Sequence, residues 1–297
     1  MSLTLSPAFL KKVASMTLRA RYVAEGVISG LHQSPYRGSS LEFAQHRQYV
    51  PGDELKYLDW KVYGRTDRYY VKQFQEETNL RGYCILDISS SMKFRSESSA
   101  VSKLEYASYL AAAFIYLMIK QRDSAGLITF NDEIKEYIPP HNFKEHMHLI
   151  MDKLDNVKGG GETDFQEVFN WIGKKIKKRS LLVIFSDFLS SPDSLIKALK
   201  YFPFLKNDVI VFHILDPAEI NLPHSGPVVY KDMESSKKLK TRPDIIKKAY
   251  KKRIQKYLSS LERGLRAHQI DYYRYLTDMK LDKAFSQFIE GRKKIIS

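Results

Sequence analysis

The sequence has one cysteine, two tryptophans and no long hydrophobic run. The single cysteine, Cys84, excludes an internal disulfide bond in a chain of 297 residues, which predicts a reducing compartment such as the cytoplasm. No stretch approaches the roughly 20 consecutive apolar residues that a membrane-spanning helix needs. The first residues also lack the apolar segment of a signal peptide. We therefore predict a soluble cytoplasmic protein without a membrane span.

Acidic residues are scarce relative to basic ones. The chain has 34 Asp and Glu against 48 Lys and Arg, a formal net charge of +14. This balance predicts an acidic partner, which could be a protein, a nucleic acid or an anionic membrane surface. The basic residues crowd the stretch 237–256, where apolar residues at helical spacing indicate an amphipathic helix. The stretch is either the solvated face of a docked helix or a binding surface.

Apolar runs alternate with helical patterns from about residue 81 onward. The runs Tyr83–Leu86 and Leu181–Phe185 are unbroken, which is typical of parallel strands buried on both faces. Further strands are predicted at Leu127–Phe130, Glu133–Ile138 (a short edge strand), Val209–Ile214 and Ile270–Tyr275. Helical patterns fill the intervals between most of these strands. The alternation predicts an α/β fold with a doubly wound, mainly parallel sheet flanked by helices.

The first part of the chain has a different pattern. A helix is predicted to begin after Ser6, a loop to cover Gly26–Gly38, and a strand to cover Tyr69–Phe74. We predict an N-terminal helical and β-hairpin extension over residues 1–80 and the α/β domain over residues 81–297.

The segment from Arg47 to Phe74 allows two interpretations. Trp60 and Tyr63 could supply buried aromatic area, which favours a structural role. The charged residues of the segment could instead form a surface for a partner: Arg47, Asp53, Asp59 and Arg65.

Two predicted strands end at an aspartate, Asp87 and Asp187. In an open α/β sheet, ligands bind beyond the carboxyl ends of the strands, so both carboxylates should face one crevice. Ser89 and Ser91 follow Asp87, and Thr163 lies in a turn with three consecutive glycines. Two carboxylates and three hydroxyls form an all-oxygen ligand set, which suits a hard cation such as Mg²⁺.

A cation held mostly by neutral hydroxyls keeps most of its charge. It therefore offers an open position to a carboxylate from outside, which predicts recognition rather than catalysis. The alternative is that Ser89, Ser90 and Ser91 cap a following helix and Asp187 caps the next one.

The order Asp87-x-Ser89-x-Ser91, then Thr163, then Asp187 resembles the metal-ion-dependent adhesion site (MIDAS) of von Willebrand factor A (VWA) domains. An upstream pattern resembles the prokaryotic family catalogued as domain of unknown function 58: Phe43-x-x-x-Arg47-x-Tyr49-x-Pro51-Gly52-Asp53, Leu58-Asp59-Trp60 and Gly64-Arg65-Thr66. The resemblance implies a VWA-like fold in which these five residues hold Mg²⁺, Mn²⁺ or Ca²⁺, with a partner's acidic group completing the shell. It also implies that the chain is an adaptor for a MoxR-type AAA+ ATPase.

Enzymatic alternatives lack residues that their chemistry requires. A haloacid-dehalogenase-like phosphotransferase needs a second carboxylate where this chain has Ser89. A Walker loop needs lysine before its final hydroxyl residue, but Glu162 precedes Thr163. A metal-dependent hydrolase remains as an alternative that lacks a convincing general base. We therefore predict a non-catalytic interaction module, with a basic nucleic-acid-binding protein as the main rival.

Overall fold

The structure is a computed structural model that describes residues 5–31, 45–50, 60–66, 68–73, 80–233 and 238–296. The chain forms two compact units, one made of residues 1–31 and 80–297 and the other of residues 32–79. The helices are α1 Pro7–Lys11, α2 Met16–Leu31, α3 Trp60–Thr66, α4 Lys103–Lys120, α5 Lys144–Asp155, α6 Phe165–Lys175, α7 Pro192–Leu199, α8 Tyr201–Phe204, α9 Pro217–Asn221, α10 Pro243–Ala267 and α11 Leu281–Ile296. The strands are β1 Gln45–Gln48, β2 Tyr70–Gln73, β3 Arg81–Asp87, β4 Ser124–Phe130, β5 Ile134–His141, β6 Leu181–Ser186, β7 Asp208–Leu215, β8 Val228–Lys231, β9 Lys238–Thr241 and β10 Ile270–Leu276.

The larger unit contains a six-stranded sheet with the order β10-β7-β6-β3-β4-β5. Neighbouring strands are parallel except for β5, which pairs antiparallel with β4 at one edge. β4 and β5 follow β3 on one side of it, whereas β6, β7 and β10 follow one another on its other side. This reversal of strand order is the mark of a doubly wound sheet. The predicted α/β fold class is therefore confirmed.

The two central strands, β3 and β6, are buried on both faces. In β3, Cys84 and Leu86 pack into the core on one side, while Tyr83 and Ile85 pack into the core on the other. Helices α2, α4, α5 and α11 cover the first side, and helices α6, α7 and α10 cover the second. Because successive side chains of a strand point to opposite faces, burial on both faces requires an unbroken apolar run.

The first two helices belong to the larger unit. In α2, Ala20 and Val23 are fully buried in the core that α4 also lines. The predicted loop over Gly26–Gly38 is wrong at its start, since α2 continues to Leu31. A β-carbon on Gly26 would lie 2.7 Å from Cδ1 of Leu5, so this glycine permits close packing inside a helix. The division of the chain at residues 80 and 81 stays a prediction.

In the smaller unit, β1 and β2 pair antiparallel. The Tyr63 and Tyr69 rings stack with centroids 4.5 Å apart. Trp60 is 63% exposed, so the prediction that it is buried is wrong. Asp53 and Asp59 lie outside the described residues, and Arg65 is exposed.

Of the helices that the structure describes, none combines the length and the apolar character needed to span a membrane.

Candidate metal centre

The residues at the carboxyl ends of β3 and β6, where the order of the strands reverses, are called the cleft. Leu86 of β3 pairs with Phe185 of β6, so the two strands leave the sheet side by side. Asp87 is the last residue of β3 and Asp187 directly follows β6. Both are buried, at 0% and 1% exposure. The topology therefore brings the two predicted aspartates to the ligand-binding edge of the sheet.

The Asp87 carboxylate is held by two hydrogen bonds. Its Oδ1 accepts from the backbone N–H of Ser89 at 2.9 Å, and its Oδ2 accepts from the Ser186 hydroxyl at 2.6 Å. Burial, and then the nearby Asp187 carboxylate, raise the pKa of Asp87 to about 7 despite these bonds. Among the described residues, no lysine or arginine forms a salt bridge with Asp87. The ionised form of Asp87 therefore lacks a compensating positive charge, and a bound cation would be a suitable counter-ion for it.

Ser89 lies on the loop that follows β3, and Ser91 begins the short 3₁₀ helix Ser91–Lys93. Their hydroxyl oxygens are 3.0 Å apart and both side chains are buried. The alternative that these serines cap the next long helix is wrong, because Ser102 caps α4. Likewise, the N-cap of α7 is Ser191 rather than Asp187.

The glycine-rich turn packs against the same loop. The N–H of Gly160 donates to the carbonyl of Ile88 at 2.7 Å, and the N–H of Ser90 donates to the carbonyl of Gly161 at 2.9 Å. Thr163 follows two residues later and is half-buried. Four of the five predicted ligands are thus buried, whereas Thr163 is half-buried and follows the turn that bonds to the loop after β3. That these five residues share one metal ion stays a prediction.

Gly161 is required by the shape of this turn. Its φ of +84° is in the left-handed region, and a β-carbon there would lie 2.6 Å from Nδ2 of Asn131. The same Asn131 amide donates to the carbonyl of Gly160 at 2.8 Å. Asp164 then caps α6 by accepting from the N–H groups of Gln166 and Glu167. These contacts determine where the chain places Thr163.

The sequence interpretation missed Lys103, the first residue of α4. Its side chain is fully buried, and its Nζ lies 2.6 Å from Oδ2 of Asp187 and 2.6 Å from Oε1 of Glu219. Burial opposes the charge of Lys103, but the two carboxylates outweigh it and raise its pKa above the usual range. The pattern Asp216-Pro217-Ala218-Glu219 signals a capping box, which the structure has. The sequence carries no sign that Lys103 would meet this glutamate.

His213 holds the backbone at Asp187. Burial lowers the pKa of His213 to about 4, so the imidazole is neutral and donates one hydrogen bond. Its Nε2 is 2.9 Å from the Asp187 carbonyl, which can only accept. Its Nδ1 must therefore accept from the Tyr272 hydroxyl, 2.7 Å away.

The donor set of the cleft fits a hard divalent cation. Three carboxylates, those of Asp87, Asp187 and Glu219, stand against the single ammonium of Lys103. When all are ionised, the cluster has an excess of two negative charges, which equals the charge of one divalent cation. In the part of the chain that the structure describes, no group of three or more His, Cys, Asp or Glu side chains is arranged so that these side chains alone could hold a metal ion. Hydroxyl oxygens would therefore have to complete the coordination.

The basic stretch 237–256 is divided between two elements. Residues 238–241 form β9, which pairs with β8, and α10 begins only at Pro243. The apolar side of α10 contributes Leu261 and Leu265 to the core, while Lys251 and Lys252 are exposed. The predicted amphipathic helix is therefore present but begins later and ends later than the basic stretch.

Comparison with known proteins gives a family match and distant structural neighbours. The profile of a family described as "Protein of unknown function DUF58" matches residues 45–259. The uncharacterized proteins Rv1480 of Mycobacterium tuberculosis (strain ATCC 25618 / H37Rv) and Mb1516 of Mycobacterium bovis are each 25% identical to this chain over 232 residues. These matches cover 77% of this chain and 72% of each relative.

Among solved structures, the conserved hypothetical protein BatB from Bacteroides thetaiotaomicron has a TM-score of 0.48 and 18% identity, covering 72% of this chain and 99% of that one. An aerotolerance-related membrane protein from Bacteroides fragilis has a TM-score of 0.47 and 18% identity, covering 71% and 99%. The VWA domain of SpRpn10 has a TM-score of 0.43 and 11% identity, covering 71% and 95%. Likenesses at this level carry no argument about function.

Proposed function

This chain belongs to the DUF58 family of proteins of unknown function, and from that premise we propose that it is a non-catalytic protein-interaction module that captures a partner's acidic side chain through a bound divalent cation. The observation that carries the proposal is the buried cluster of Asp87, Ser89 and Ser91 beside Asp187. Burying Asp87 beside a second carboxylate is unfavourable unless a cation or a proton compensates it, and Lys103 pairs with Asp187 rather than with Asp87.

The proposed ligands are Asp87, Ser89, Ser91, Thr163 and Asp187. When bound, Mg²⁺, or Mn²⁺ or Ca²⁺ in its place, would supply an open coordination position for an outside carboxylate. The chain's own groups orient these ligands. The Ser186 hydroxyl and the Ser89 N–H direct the Asp87 carboxylate, and His213 holds the Asp187 backbone.

Catalysis is not the function that this cleft favours. Hydrolysis needs a base that can take a proton from water or from a nucleophile. His213 has both ring nitrogens engaged, by the Asp187 carbonyl and the Tyr272 hydroxyl. The Ser89 and Ser91 hydroxyls lie within hydrogen-bond distance of each other rather than of an imidazole.

We propose a MoxR-type AAA+ ATPase as the partner, with this chain as its adaptor. The support is the resemblance of the chain to its family, together with the net charge of +14, which favours an acidic partner. A cytoplasmic location is part of the same proposal.

The test measures binding of a purified MoxR-type ATPase from the same source to the immobilised full chain, in Mg²⁺ and in EDTA. We expect capture in Mg²⁺, and a loss of at least about 30-fold in EDTA or with Asp87→Ala, because a desolvated charge contact disappears. Asp208→Ala is the matched control, since Asp208 begins β7 at the opposite edge of the sheet and should change nothing. Equal capture with and without chelator would contradict the proposal.

A second candidate, nucleic-acid binding, is favoured by one observation. Along α10, Lys248, Lys251, Lys252, Arg253 and Lys256 are all exposed, and no acidic residue interrupts them. Titration of DNA or RNA binding against salt separates the two candidates. Phosphate contacts weaken steeply as salt rises and do not require Asp87.

A further inference from the structure

Lys103 occupies a position that two general tendencies disfavour. It is the first residue of α4, where the positive end of the helix dipole repels a cation. Its side chain is also completely buried, which is rare for lysine unless it is paired. The ammonium lies between Asp187 and Glu219, with the Phe94 ring centroid 5.8 Å away. Residues that break local tendencies in this way are often functional.

The partners of Lys103 are held firmly in place. Glu219 uses its other oxygen, Oε2, to accept from the N–H of Asp216 at 2.8 Å, within the capping box of α9. Asp187 is anchored through its backbone carbonyl by His213. The ammonium therefore cannot leave Asp187 without leaving two fixed carboxylates unpaired in a buried setting.

One carboxylate thus serves two cations in the proposed site. Oδ2 of Asp187 is engaged by Lys103, so the same carboxylate would have to serve a metal ion as well if Asp187 is a ligand. The positive charge of Lys103 is fixed a few ångströms from the proposed ligands. In a buried region of low dielectric constant, like charges repel more strongly than they do in water.

We propose that Lys103 is a positioning and charge-setting residue of the cleft, which weakens the binding of a divalent cation alone but keeps the cation-loaded cleft receptive to an anion. This inference rests on the proposed function. With Lys103 present, three carboxylates, one ammonium and one divalent cation sum to zero charge. Without Lys103, the loaded cleft has one excess negative charge and repels a partner's carboxylate. The two effects of removing Lys103 therefore have opposite signs.

Four variants separate these effects. Lys103→Met removes the ammonium and retains most of the length of the side chain. Lys103→Met/Glu219→Gln removes one charge of each sign, so the net charge is kept while Asp187 is released. Lys103→Arg is the conservative replacement. Glu219→Gln alone makes the cleft less negative and should weaken cation binding.

The experiment measures the affinity of the full chain for Mn²⁺ by calorimetry, with and without acetate as a minimal anion. Circular dichroism in EDTA checks that each variant is folded. We expect Mn²⁺ alone to bind Lys103→Met and the double variant about 10-fold or more tighter than it binds the wild type. Acetate should enhance the Mn²⁺ affinity of Lys103→Met less than it enhances that of the wild type. In the double variant, the enhancement by acetate should equal that in the wild type. Lys103→Arg should behave as the wild type does.

The result that overturns the inference is a folded double variant whose Mn²⁺ affinity equals or falls below that of the wild type. If Lys103→Met does not fold, the double variant and Lys103→Arg decide the matter.

The outcome also separates this inference from the proposed function. Wild type that binds Mn²⁺ through Asp87, together with unchanged variants, refutes only the role of Lys103. Wild type that binds no Mn²⁺, beside a double variant that does, supports the block by Lys103 and refutes the proposed function. No Mn²⁺ binding by any variant refutes both.

Discussion

The cleft and the outer face of α10 concentrate charge in opposite ways. In the cleft, the charged residues Asp87, Asp187 and Lys103 are almost completely buried. The face of α10 has a longer series of charges, but Lys248, Lys251 and Lys252 are exposed. Water screens the exposed charges, whereas the buried ones interact strongly and must be paired. The number of charges in a region is therefore a poor guide to their energetic importance.

The largest expected effect comes from breaking the buried cluster. Replacing Lys103 with Met should lower the free energy of unfolding in EDTA by about 3–5 kcal/mol, because it leaves Asp187 and Glu219 unpaired. Urea denaturation followed by circular dichroism measures this. Adding Glu219→Gln should recover part of the loss. If Lys103→Met changes the free energy of unfolding as little as the replacement of a surface lysine does, the buried cluster stabilises the protein no more than the face of α10 does.

The free energy of unfolding should depend on pH through the Asp87 carboxyl of the cleft. The exposed lysines of α10 should add no such dependence. The pKa of Asp87 is raised from 3.8 to about 7 in the folded protein, so between these values the folded state binds more protons than the unfolded state. In EDTA, this group's contribution to stability therefore falls as pH rises from about 4 to about 7, by up to about 4 kcal/mol.

Comparison of the wild type with Asp87→Asn isolates this effect, because asparagine resembles the neutral acid. In EDTA, we expect the wild type to lose stability relative to the variant as pH rises through this range. Saturating Mg²⁺ should remove this loss. Denaturation curves at a series of pH values check the prediction. Parallel pH profiles in EDTA would contradict it.

A smaller effect is expected at the glycine-rich turn. Gly161→Ala places a β-carbon at a positive φ and 2.6 Å from the Asn131 amide, so we expect a loss of stability of about 1 kcal/mol or more. The neighbouring Gly160→Ala is the matched control, since a β-carbon added to Gly160 would meet nothing within 4 Å. Thermal unfolding of both variants tests the prediction. Equal melting temperatures would mean that the turn adapts freely.

The smallest effect should come from the exposed face. Changing Lys251 and Lys252 together to Gln should alter the free energy of unfolding by less than about 0.5 kcal/mol for each residue. The same variant should reduce the salt dependence of any nucleic-acid binding. A large loss of stability would show that these lysines make structural contacts, which would remove the contrast between the two regions.

Much of the sheet could be predicted from local sequence. The runs Tyr83–Leu86 and Leu181–Phe185 lie in β3 and β6, and the short edge strand lies in β5. The two central runs are found because burial on both faces requires an unbroken run of apolar residues, a rule that the only partly buried β5 does not follow. The loop predicted from Gly26 fails at its start because tertiary contact with Leu5 permits a glycine inside a helix.

The cleft was predictable in part. Asp87 and Asp187 could be placed together because parallel strands expose their carboxyl ends at one edge of a sheet. Lys103 could not be placed there, because a lysine at the start of a helix is normally solvated. Its partners lie 84 and 116 residues further along the chain.

The alternation of strands and helices and the residues at which the central strands end follow from local sequence, because hydrophobic periodicity and strand termini are local properties. Only the tertiary structure decided which charges meet in the cleft and which remain in water. The pairing of Lys103 with Asp187 and Glu219 depends on the packing of α4 and α9 at the end of the sheet. The sequence specifies which residues are charged. How strongly these charges interact depends on the local dielectric constant, which is set only when distant segments pack together.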